Sequence, residues 1–239
     1  MEHNQVVARE QWLAARKQLL TKEKELTRQR DQVSAQRRAL PWVKIEKPYV
    51  FDAADGKKTL AELFDGRSQL IVYHFMFDPA WNDGCPFCSF LADHIDGANQ
   101  HLMHHDVSVV VISRAPLPKI AAYQKRMGWR FKWVSAYNSD FNSDYQVSFT
   151  RSDLAKGSTY YNYTEREEQS EGEAPGISVF YKDATGEIFH TYSSYGRGGE
   201  AFLGTYNFLD LTPHGRVENG PNHNLTDWVK RHDEYDAGH

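Results

Sequence analysis

The sequence predicts an α/β protein, a central mixed sheet with helices on both faces, preceded by a helical extension at the N-terminus. Three observations carry that expectation. Residues 69–77 (QLIVYHFMF) and 106–113 (DVSVVVIS) are apolar, β-branched runs of strand length. Between them Phe87, Phe90, Leu91, Ile95, Ala98 and Leu102 fall at helical spacing, so this stretch reads as a strand–helix–strand unit with a right-handed crossover. Further on, GISVFYKDATGEIFHTYSSYGRGG reads as two alternating runs joined at Ala184-Thr185-Gly186, a β-hairpin. Strands alternating with helices and then a hairpin fit a mixed sheet covered on both sides.

The N-terminal extension comes first. Residues 5–39 contain no Gly or Pro and read as one helix that ends before Pro41. Trp12, Leu19, Leu26 and Val33 recur every seven residues, too narrow a stripe for a two-position coiled-coil seam. Residues 1–40 carry a net charge of +4, which leaves −8 on the rest of the chain. A basic helix with one thin apolar stripe is expected to dock on an acidic body, its own or that of a second copy in a homo-oligomer, because alone in water it would be marginal. After Pro41 a short strand, a turn at Asp55-Gly56 and a short helix lead into the first apolar run. Past Ser113 a proline-marked helix runs to Gly128, and FKWVSA is a strand. Residues 137–153 are polar and turn-rich, and EREEQSEGEAPG reads as an acidic, mobile loop. A last helix is expected over residues 200–209, followed by a polar tail. The organisation is thus an extension over 1–40, one domain over 41–215 and a tail over 216–239.

Composition sets limits on function. With 239 residues, 40% of them hydrophobic, the chain can bury a core as one domain with extensions. A formal net charge of −4 gives no reason to expect a nucleic-acid partner. No run approaches the roughly 18 apolar residues that span a bilayer, so no membrane partner is expected. The N-terminus lacks the basic-then-apolar layout of a secretory signal. Two cysteines cannot build a disulfide framework, so the pair is a redox or metal candidate in a reducing compartment, and the expected location is the cytoplasm.

Both cysteines sit in one loop, CPFC, between the first strand and the helix. Cys85 falls where the helix begins, with Pro86 suited to the first helical position. Unpaired backbone N–H groups and the helix dipole favour negative charge there, which lowers a thiol pKa and makes the thiolate a nucleophile near neutral pH. One turn on, Cys88 can attack a mixed disulfide formed at Cys85 and release the product. A second reading is zinc, since Cys85, Cys88, His101 and His105 have the spacing of a two-Cys, two-His finger. One helix carrying Cys88 and both histidines would place Cys88 about 20 Å from His101, beyond a metal's first shell, so no metal or other cofactor is expected. A third reading keeps both cysteines inert in a binding module.

The strand–CPFC–helix unit resembles the thioredoxin superfamily, and CPFC is close to the CPYC loop of glutaredoxins. APGISVF resembles the segment that carries a cis-proline facing the redox cysteines there, which implies Pro175 as its counterpart, placing the substrate backbone. TLAELFDG, VVVISRAPLPKIAAYQKRMGW and SDFNSDYQVSF are similar to peroxiredoxin-like members, but Asn82 stands three residues before Cys85 where the peroxidatic pattern has Thr, so peroxidase activity is not expected. More closely, GCPFCSFLADH, GWRFKWVSAYNSDFNSDY, GTYNFLDLTPHGR and WVKRHDEY resemble a bacterial thioredoxin-like family of uncharacterised proteins, domain-of-unknown-function family 899. The resemblance implies a thioredoxin-like fold with a peroxiredoxin-like layout. The expected function is a thiol–disulfide oxidoreductase with Cys85 as nucleophile, Cys88 as resolving thiol and Pro175 beside them, acting on a protein or small-molecule disulfide. The alternative is a redox-inert module that binds a partner or small molecule.

Asp78 and Asp83 flank the loop and would raise a nearby thiol pKa, and Trp81 there suits loop packing. Arg114 follows a strand end on the cysteine side of the sheet and reads first as an exposed helix-entry residue, with a thiolate-stabilising or anion-binding role as the alternative. Tyr160, Tyr161, Tyr163, Tyr192 and Tyr195 suit sheet packing.

Overall fold

The structure, a computed structural model, describes residues 4–155, 157–166, 171–217 and 228–235. It divides into two compact units, Met1–Pro41 and Trp42–His239. The first unit is helix α1, Arg9–Arg38. The Gln11 carboxamide oxygen accepts the Ala8 N–H at its start (3.3 Å), and Arg37 and Arg38 lie in its last turn, where cations suit the dipole.

The second unit opens with β1 (Val43–Lys44) and the hairpin of β2 (Val50–Ala53) and β3 (Gly56–Thr59). Gly56 turns this hairpin with φ +112°, a conformation open to glycine and costly for other residues. The strand after the turn, GKKT, lacks apolar residues and carries no sequence signal. Thr59 then caps α2 (Leu60–Leu63): its hydroxyl accepts the Glu62 N–H while the Glu62 carboxylate accepts the Thr59 N–H at 2.7 Å. Next come β4 (Gln69–His74), α3 (Pro86–Ala92), α4 (Ile95–His104), β5 (Val107–Ser113), α5 (Leu117–Arg126) and β6 (Lys132–Ser135). The polar stretch that follows holds α6 (Phe141–Asp144), β7 (Ser148–Phe149) and α7 (Arg151–Leu154). The chain ends with β8 (Thr159–Tyr161), β9 (Thr164–Arg166), β10 (Gly172–Glu173), β11 (Gly176–Lys182), β12 (Ile188–Tyr195) and α8 (Gly204–Leu209).

Among the described residues eight strands form one sheet in the order β1-β12-β11-β4-β5-β6-β2-β3. Strand β4 runs parallel to β5, and β5 parallel to β6, while β11 is antiparallel to both β4 and β12. It is a mixed α/β sheet, extended beyond β5 by β6, β2 and β3 and beyond β12 by β1. The alternation of β4 shows how it is covered. Tyr73 enters a core with α3, α5 and Trp133, whereas Leu70 and Val72 enter the opposite core with α2, α6 and Phe180. The register brings His74, Ile112 and Gly176 level, so the chain leaves β4 and β5 and enters β11 at one edge of the sheet.

Two expectations need correction. The single helix after CPFC is two, broken at Asp93 and His94. The His94 Nδ1–H donates to the Phe90 carbonyl (2.9 Å) while its Nε2 accepts from the Thr205 N–H and hydroxyl, and Asp93 accepts the Trp129 indole N–H. The acidic stretch expected to be a mobile loop lies in part outside the described residues (167–170). Its described residues include strand β9, paired to β8, and strand β10, paired to β7, in which Glu173 is buried on the Arg114 guanidinium. The polar tail over 216–239 is also mostly outside the described residues, but 228–235 packs on the body. There Val229 is buried and the Trp228 ring lies 5.7 Å from that of Phe90. Among the described residues no helix is long and apolar enough to cross a membrane.

Candidate active site

The loop from β4 to α3 is fixed from all sides. The Cys85 N–H donates to the Met76 carbonyl at 3.1 Å, and Lys119 Nζ on α5 donates to the carbonyls of Pro79 (2.7 Å) and Trp81 (2.9 Å). Gly84 is squeezed against aromatic rings. A Cβ there would lie 2.6 Å from the Phe75 ring and 2.9 Å from that of Tyr123, and both rings belong to the packed core. Gly84→Ala is therefore expected to cost about 1–3 kcal/mol through overpacking. A urea midpoint equal to that of the parent protein would count against this packing.

At the end of this loop Cys85 occupies the N-cap of α3 with Pro86 as the first helical residue, as the sequence predicts. Cys85 is half-buried, Cys88 is buried, and both are free cysteines. The Cys85 pKa is lowered to about 7. The largest cause is the Cys88 thiol, which donates to its sulfur; the N–H groups of Phe87 and Cys88 and the charge of Arg231 add to this, and burial opposes it. The Cys88 pKa is pushed well above the ordinary value, first by burial and then by the neighbouring Cys85, while the Met76 N–H donates to its sulfur at 3.5 Å. The buried Tyr73 hydroxyl faces the same sulfur. One thiol is set to ionise and its partner to stay protonated.

The carboxylates expected to oppose ionisation of Cys85 are matched by arginines. Asp78 accepts from Arg114 Nη2 at 2.6 Å, and Asp83 from Arg126 Nη1 at 2.7 Å. Arg114 is thus not the exposed helix-entry residue expected. Its Nε also donates to Glu173 at 2.6 Å, and the other Glu173 oxygen accepts from the Ser148 hydroxyl at 2.7 Å. Burial raises the Glu173 pKa to about 7 against the pull of Arg114.

Two residues after Glu173, Pro175 lies with Tyr73, Phe87, Leu91 and Gly176 around a small hollow beside α3. Its carbonyl accepts the Tyr161 hydroxyl at 2.7 Å, and that hydroxyl accepts the Gly196 N–H. The described peptide bonds are all trans, so Pro175 does not carry the cis bond that the resemblance implies. Tyr161 and Tyr195 are buried packing residues, whereas Tyr160 and Tyr163 are exposed. Trp81 packs on the core, and Asn82 faces solvent. Sequence reasoning missed Tyr73, Glu173 and Arg231. Of the three, only Glu173 had a local signal, its closeness to Pro175.

Zinc finds no cage. His101 is exposed on α4 while Cys88 is buried in α3, and among the described residues no group of three or more His, Cys, Asp or Glu is placed to hold a metal ion.

Solved structures similar to this chain include the PrxQ of Xylella fastidiosa, with 14% identity and a TM-score of 0.44 over 68% of this chain and 89% of that one. The peroxidoxin BcpB of Mycobacterium tuberculosis shows 12% identity and a TM-score of 0.45 over 71% and 97%. A hypothetical protein of Sinorhizobium meliloti shows 16% identity and a TM-score of 0.38 over 62% and 71%. None of the curated proteins matches. A family model described as "Bacterial protein of unknown function (DUF899)" matches residues 1–235, and the chain belongs to that family.

Proposed function

We propose that the protein is a thiol–disulfide oxidoreductase of thioredoxin-like type, working through the Cys85–Cys88 dithiol in a reducing compartment such as the cytoplasm. The observation that carries this reading is the asymmetry of the two thiols: Cys85 at the start of α3, partly exposed and ionising near neutral pH, and Cys88 one turn on, buried and protonated. In the first step the Cys85 thiolate attacks one sulfur of a substrate disulfide, whose S–S bond breaks as a new one forms to Cys85. The departing thiolate takes a proton from water. In the second step Cys88 loses its proton and attacks the Cys85 sulfur, so the substrate leaves as its second thiol and a Cys85–Cys88 disulfide remains. The substrate gains the two electrons the dithiol loses, and an external thiol reductant restores the dithiol. Pro175 in the hollow beside Phe87 would place the backbone next to the substrate's disulfide. The substrate is a protein or small-molecule disulfide.

The test is a redox titration. Equilibration in a graded series of reduced and oxidised glutathione, followed by alkylation and mass spectrometry, should show Cys85 and Cys88 passing together between dithiol and intramolecular disulfide. If both thiols stay free, or lock as a disulfide, across the whole cellular range of potentials, a binding module without redox chemistry is the better reading.

A further inference from the structure

The carbonyl of Gly84, the last backbone acceptor before Cys85, is taken by a side chain 147 residues away. Arg231 donates to it through Nε at 3.1 Å and Nη2 at 2.8 Å. The guanidinium is largely enclosed, with its side chain 16% exposed, and its Nη1 donates to Glu234 at 2.7 Å. The segment that carries it is fastened elsewhere as well: His232 to Asp93 beyond α3, Asp233 to Arg126 on α5, and Trp228 against Phe90. A cation held this firmly on the residue before a nucleophilic thiol is more than a surface ion pair.

Resting on the oxidoreductase reading, we infer that Arg231 is a positioning residue of the dithiol. It clamps the Gly84 carbonyl so that Cys85 stays at the entry of α3, and it sets a fixed positive charge beside the place where the thiolate forms. Among the other groups around the loop, the Lys119 ammonium is held on the carbonyls of Pro79 and Trp81. Cys88 on α3, Tyr73 on β4 and Tyr123 on α5 are neutral near pH 7. In the loop, Asp83 is paired to Arg126 and Asp78 to Arg114, and Asp233 is turned onto Arg126. Glu234 bridges Arg231 and Arg126 and partly offsets both. The Arg231 charge favours the Cys85 thiolate, and the two hydrogen bonds on one carbonyl use the fork of a guanidinium, which a lysine cannot reproduce.

The experiment follows iodoacetamide alkylation of Cys85 against pH in the full chain, resolved by mass spectrometry, for Arg231→Met, Arg231→Lys and Glu234→Gln. Arg231→Met should move the midpoint up by about half a unit to one unit; the smaller thiolate fraction, partly offset by a more nucleophilic thiolate, should slow alkylation at pH 6 roughly two- to threefold. Arg231→Lys should recover much of the loss because it keeps the charge. Glu234→Gln, which removes the opposing charge, should move the midpoint down, and it serves as the decisive variant if Arg231→Met folds poorly by circular dichroism. A midpoint unchanged in a folded Arg231→Met protein, or raised in Glu234→Gln, overturns the inference. No disulfide substrate enters this measurement, so its failure and a failed glutathione titration are separate results.

Discussion

Cys85→Ser is expected to abolish disulfide exchange, slowing it on the order of a thousandfold or more, because a serine hydroxyl is not ionised near neutral pH. Cys88→Ser is expected to act differently, letting the first step proceed and stopping the second. The mixed disulfide should then accumulate on Cys85, visible as an added mass that a reductant removes. The wild-type protein should also discriminate between its own thiols. With a pKa of about 7 against roughly 8.5 for a free thiol, Cys85 at pH 7 is about half thiolate, some 15-fold more than an unperturbed cysteine. A less basic thiolate is also a weaker nucleophile, by about fivefold for this difference. The two effects leave Cys85 reacting with iodoacetamide about threefold faster than a free thiol at pH 7, and proportionally faster still at pH 6. Cys88, buried with its pKa raised, should react on the order of a hundredfold more slowly or less. The Cys88 thiol is the largest cause of the shift, so Cys88→Ala should raise the Cys85 midpoint. Equal alkylation of both cysteines would remove the basis for assigning them different roles.

The parts of this site that could be read in the sequence are those built by neighbours along the chain. Strand, loop, proline and helix signals from 69 to 113 lie within one strand–helix–strand unit, and they placed both thiols and the polarity of the helix end before any contact was known. The ion pairs and the arginine clamp that surround the cysteine loop come from partners far along the chain. Arg114 meets Glu173 across 59 residues, and Arg231 meets Gly84 across 147. No periodicity or motif encodes such a pairing, so Asp78 and Asp83 looked like free carboxylates and Arg114 like a surface residue. The break between α3 and α4 has the same origin, since His94 is held by Thr205, 111 residues on. The β8–β9 turn was missed for a local reason. Asn162 and Tyr163 both have positive φ, +52° and +63°, and the sequence signal for such a hairpin is a glycine in the second place, where tyrosine stands instead.

Removing Arg114 is expected to have the largest effect on stability of any single change at the site. Its guanidinium joins Asp78 in the cysteine loop to Glu173, whose side chain is 1% exposed. Arg114→Ala would leave that carboxylate buried without a counter-charge, a loss of about 3–5 kcal/mol. The size should depend on pH, and the sign follows from Glu173. Burial raises its folded-state pKa from 4.5 to about 7, so between those values the folded protein keeps a proton that the unfolded chain has released. Stability from this group therefore falls as pH rises from about 4.5 to 7, by at most about 3 kcal/mol, and is level on either side. Without Arg114 the carboxyl should hold its proton to still higher pH, so the penalty of the substitution should grow from pH 5 to pH 8. Glu173→Gln should remove most of this slope at little cost, since the amide oxygen can accept from Arg114 and its nitrogen can donate to the Ser148 hydroxyl. Urea midpoints at pH 5, 6, 7 and 8 for the three proteins decide the matter. An Arg114→Ala penalty that is the same at all four, or below about 1 kcal/mol at pH 8, would mean that the ion pair does not hold the cysteine loop to the Pro175 segment.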